Sequence, residues 1–69
     1  MNDRLDRVVA AVEALGAAYT ADVAREAYLS TVTARRILLR AERLGRVTSD
    51  LWASDHTRLT RRVWKAVRP

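Results

Sequence analysis

The chain predicts an α+β fold, mostly α, with a core of three helices followed by a β-hairpin. Three observations predict it. Apolar residues recur at helical spacing over successive segments between Asp3 and Leu44. Gly16 and Gly45 stand where the first and the last of those segments must stop. After Gly45 the period changes, and β-branched and aromatic residues interleave with polar ones.

From Asp3 to Leu15 the residues Leu5, Val8, Val9, Val12 and Leu15 form one helical stripe, with Arg4, Arg7 and Glu13 off it. Asn2 or Asp3 caps the start, and Gly16 supplies the left-handed residue past the end. Thr20 is a natural N-cap for a shorter second helix. Asp22 sits in its first turn, where the helix dipole favours a carboxylate, and Val23, Ala24 and Ala27 face inward. That helix is expected to end near Ala27 or Tyr28. Leu29 and Ser30 then make a tight turn into a third helix, from about Thr31 to Leu44. Steps of 100° gather Ala34, Ile37, Leu38, Ala41 and Leu44 into one arc of about 120°, the buried face. Val32, Arg36, Leu39, Arg40 and Arg43 fall on the opposite arc.

Arg46 to Trp52 has the alternation of a strand, and the polar stretch from Ala53 to Arg58 suits a hairpin tip. Leu59 to Val67 reads as the returning strand, although Leu59, Val63, Ala66 and Val67 also fit a fourth helix capped by Asp55 or Thr57. The hairpin is the preferred reading. In it Asp50 pairs across the strands with Arg61 or Arg62, and Trp64 covers the bottom of the helical cluster. Trp52, near the tip, is a candidate contact residue.

Size and composition narrow the function. The 69 residues make a single domain, 1–69, and a chain this short buries only ~60% of the surface its unfolded form exposes. Cysteine is absent and His56 is the only histidine, so neither a disulfide nor a metal cluster is expected, and no cofactor is implied. Thirteen Lys+Arg against eight Asp+Glu leave a net charge of +5. That balance calls for a polyanionic partner, nucleic acid first and an anionic membrane surface second. The membrane surface is set aside because the basic residues do not border a continuous apolar stripe. No apolar run approaches the ~18 residues of a span and no leader follows Met1, so a cytoplasmic, nucleoid-associated protein is expected. No nucleophile–base pair, phosphate-cradling glycine loop or metal-ligand set is present to suggest an enzyme.

The segment from Thr20 to Val67 resembles the winged helix-turn-helix family of DNA-binding domains, repressor-like proteins of bacteria, archaea and phages. Thr20-Ala21-Asp22-Val23-Ala24 matches the support helix, and Leu29-Ser30 matches the turn. Thr31 to Leu38 match the recognition helix, and Leu44-Gly45-Arg46-Val47 leads into the wing. The Trp-Lys-x-Val ending at Val67 is similar to that of the left-handed-DNA binders. Their required asparagine and tyrosine fall on Arg35 and Leu39 here, so that subfamily is rejected.

The resemblance implies a sequence-preferring regulator that inserts its third helix into the major groove of double-stranded DNA, as a homodimer or beside a larger protein. It implicates Thr31, Thr33, Arg35, Arg36 and Arg40, with Arg36 the candidate for a bidentate guanine contact. Thr31 and Thr33 would meet a phosphate or a thymine methyl, and Arg40 and Arg43 would meet phosphates. At the wing tip it implicates Arg58, beside His56. Two other roles suit the same fold. One is a protein-interaction module docking through Leu39, Trp52 and Trp64; the other is an architectural recombination or viral packaging factor.

Overall fold

The computed structural model describes residues 3–53 and 60–67. Helix α1 (Asp3–Leu15) buries the stripe laid down by its spacing: Leu5, Val8, Val9 and Val12 are in the core, joined by Ala11. Leu15 departs from it at 40% exposure, because it lies on the last turn, where the chain leaves the core through Gly16. Gly16 has φ +80° and closes the helix with its N–H on the Val12 carbonyl at 2.9 Å.

A short strand, β1 (Ala17–Tyr19), comes next and runs directly into helix α2 (Thr20–Glu26). Thr20 therefore does not cap this helix. The N-cap is Tyr19, extended at the end of β1, and its side chain makes no capping bond. The Thr20 hydroxyl serves another purpose: its Oγ1 accepts the Trp64 indole N–H at 2.9 Å. Helix α2 ends in a paired set of bonds, Leu29 N–H to the Ala24 carbonyl at 2.9 Å and Tyr28 N–H to the Arg25 carbonyl at 3.3 Å. Such a cap needs a left-handed residue, and Tyr28 takes it with φ +58°.

Helix α3 (Thr31–Arg43) starts at Ser30, whose Oγ accepts the Thr33 N–H at 3.2 Å. It ends on Leu44 and Gly45 with the same paired cap, here with the glycine at φ +76°. Ala34, Leu38 and Ala41 are buried, whereas Ile37 is only partly so. Leu44, expected on the buried face, is 59% exposed; it stands at the edge of the arc and on the cap, where the helix leaves the core. Leu39, placed on the solvent arc by its period, packs partly buried against the core.

Strands β2 (Val47–Ala53) and β3 (Thr60–Ala66) form the expected hairpin, and the fourth-helix reading is corrected. The physical reason is that β3 is central, in the order β1-β3-β2, with antiparallel pairing on both edges. Trp64 pairs with Ala18 on one side and Ser49 on the other, and its side chain is fully buried. Arg62, Trp64 and Ala66 thus share the face toward the helices, while Arg61, Val63 and Lys65 face away. Asp50 lies opposite Val63, and the expected pair with Arg61 or Arg62 does not form among the described residues; Arg61 covers Tyr19, and Arg62 turns to Glu42 of α3, at 3.9 Å. Among the described residues no helix is long and apolar enough to cross a membrane.

Candidate nucleic-acid interface

Helices α2 and α3 meet at the turn formed by Tyr28, Leu29 and Ser30. Ala24 and Ala34 are both buried, and side chains this small let two helices approach closely. The Ser30 cap is reciprocal, since its hydroxyl also donates to Thr33 Oγ1 at 2.9 Å. Thr33 is accordingly half-buried and engaged in the cap, whereas Thr31 is exposed. With Ala34, Leu38 and Ala41 pinned inward, the helical period turns Val32, Arg36 and Arg43 directly outward, with Arg40 beside them. Arg35 lies on a flank of α3, in the row with Thr31 and Glu42 that faces the hairpin.

The cations of the molecule fall into two groups. Several are held by the fold. Arg7 donates to the Ala27 carbonyl at 2.8 Å, and Arg46 lies 3.6 Å from Asp6. Arg61 covers the Tyr19 ring at 5.3 Å, and Arg62 covers Trp64 at 5.6 Å besides its contact with Glu42. Glu42 is itself fixed by the Ser49 hydroxyl, which donates to it at 2.5 Å. By contrast, the guanidiniums of Arg35, Arg36, Arg40 and Arg43 are exposed and make no ion pair, hydrogen bond or ring contact among the described residues. Arg4, Arg25 and Lys65 likewise have no partner among the described residues, but they are scattered over three other elements. Among the described residues only α3 gathers unpartnered guanidiniums on one face, those of Arg36, Arg40 and Arg43, with Arg35 on its flank.

Of the residues singled out from sequence, Thr31, Arg35, Arg36, Arg40 and Arg43 come together on α3, with Thr33 at its cap. Arg58 and His56 lie outside the described residues, as does the side chain of Trp52. Trp64 is not available for docking. From sequence Arg62 was paired with Asp50; its approach to Glu42 of α3 depends on the register of the sheet.

Three helices followed by a hairpin whose central strand is also bound by a short strand after α1 define the winged-helix architecture. The comparison with solved structures agrees. The chain superposes on the crystal structure of transcriptional regulator PA4135 with a TM-score of 0.76 and 19% identity, over 97% of this chain and 47% of that one. It thus spans about half the length of that protein. At this identity the likeness establishes a shared fold. No protein-family model and no curated protein sequence matches the chain.

Proposed function

We propose that the protein is a sequence-preferring double-stranded DNA-binding protein, a small transcriptional regulator that lays α3 in the major groove. One observation carries the reading: three unpartnered guanidiniums of α3, those of Arg36, Arg40 and Arg43, stand on the side away from Ala34, Leu38 and Ala41. A groove ~12 Å wide admits one helix, and the helix packed behind it sets the angle of entry. Arg36, near the exposed N-terminal half of α3, reads a guanine through its two-pronged donor set. Arg40 and Arg43, further along, meet phosphates, and the exposed Thr31 hydroxyl adds a polar contact at the start of the helix. The superposition on a transcriptional regulator supports the same reading. Interaction through Trp64 is disfavoured by its burial, and Leu39 is partly covered by the core.

The chain acts as a homodimer or beside a larger protein, and with two subunits the half-sites lie about 10 base pairs apart, centre to centre. Selection of bound sequences from a random duplex pool tests binding, preference and palindromy together. On a selected site, Arg36→Ala costs about 1–3 kcal/mol and spares binding to random DNA, whereas Arg43→Ala weakens both alike. Failure to retain any duplex at low salt overturns the reading.

A further inference from the structure

A cleft of about 290 Å³ opens between the first turn of α3 and the inner face of the hairpin, lined by Thr20, Thr31, Arg35, Leu51, Arg62 and Trp64. Its two charged lining residues are both arginines, one from each wall, and none of the six is acidic. Arg62 is held in place on three levels: its guanidinium lies over Trp64, Trp64 is buried, and the indole N–H is tied to Thr20. Its contact with Glu42, 3.9 Å long and about one-third exposed on both sides, leaves most of the five guanidinium N–H donors unused. Arg35, across the cleft, has no partner among the described residues. Two guanidiniums facing one space repel each other, and a single anion between them relieves the repulsion and takes charge-assisted bonds from both. Leu51 adds an exposed apolar wall, 66% accessible, that suits the carbons of a sugar better than a bare ion.

We propose that this cleft seats one phosphodiester group of the DNA strand bordering the groove that α3 enters. Arg35 and Arg62 are its donors, and the Thr31 hydroxyl lies at its rim. The proposal rests on the DNA-binding reading above and deepens it. Arg35 becomes a phosphate contact and not a reader of bases, and the hairpin joins α3 in fixing the register of the helix along the duplex.

Uncharged methylphosphonate groups, placed one at a time along a selected duplex, test the seat. With the native chain, several positions per half-site lose affinity, those facing Arg40 and Arg43 among them, and one further position, the seat, loses about tenfold, the scale of a charge-assisted bond. With Arg62→Ala that position becomes indifferent, and Arg35→Ala, which alters an exposed side chain free of fold contacts, silences the same position. A penalty that survives in both variants overturns the seat. If the native chain retains no duplex at all, the functional reading fails and the phosphodiester seat falls with it. Inorganic phosphate then decides what the cleft is: a saturable shift of the Trp64 indole N–H resonance, lost in Arg35→Ala, assigns it to a free anion, and no shift removes the site.

Discussion

On α3, Arg36, Arg40 and Arg43 reach solvent with no acceptor of their own among the described residues; on the sheet, the Arg61 guanidinium lies over the Tyr19 ring. The two regions carry similar charge for different purposes. A cation already stacked or paired must give up part of that contact to meet a new partner. A free one on a rigid helix gives up only hydration and side-chain entropy. The net charge of +5 therefore does not locate a binding surface by itself. The proposed surface rests instead on the clustering of partnerless guanidiniums along one face of α3.

The largest effect separates fold from surface. Trp64→Ala removes the indole that joins β3 to the helices and costs about 3–5 kcal/mol, much of the stability of a domain this small. Urea unfolding checks it, and no substitution on the outer face of α3 should approach that cost. Next, replacing Arg36, Arg40 and Arg43 together by alanine lowers duplex affinity about a thousandfold while leaving the urea midpoint nearly unchanged. Arg61→Ala, measured in the same titration, changes affinity less than about threefold if its guanidinium serves Tyr19.

A smaller effect tests the tie between sheet and α2. Thr20→Val keeps the shape but leaves the buried indole without an acceptor, and destabilises by about 1–2 kcal/mol. The smallest has the opposite sign. Tyr28 pays for a left-handed backbone that glycine adopts freely at Gly45, so Tyr28→Gly raises stability by roughly 0.5–1 kcal/mol after the greater freedom of glycine in the unfolded chain is deducted. Loss of stability on that change would contradict the strain assigned to the turn.

The contrast between regions also marks what could be read in advance. Helix α1 was legible because Leu5, Val8, Val9 and Val12 write one period and Gly16 punctuates it. The α3 face was legible for the same reason, since a helix brings residues three and four apart together whatever else the chain does. Strand β1 was not legible: Ala17, Ala18 and Tyr19 carry no alternation, and they become a strand only because β3 offers an edge. Thr20 looked like a cap because residues near it in sequence suggested one, but its partner, Trp64, lies 44 positions away. The pairing of Arg62 with Glu42, rather than with Asp50, follows from a register that no local pattern encodes. Tyr28 escaped notice as a left-handed residue because it is not a glycine, whereas Gly45, in the same kind of cap, announced itself.

Binding of the native chain to a selected duplex, followed from about 50 to 200 mM salt, tests the central claim most directly. The slope of log K against log salt should be about −3 per subunit, as Arg40, Arg43 and the Arg35–Arg62 pair displace counterions from three phosphates. A slope near zero would mean that the arginines of α3 stay in solvent when the protein meets DNA.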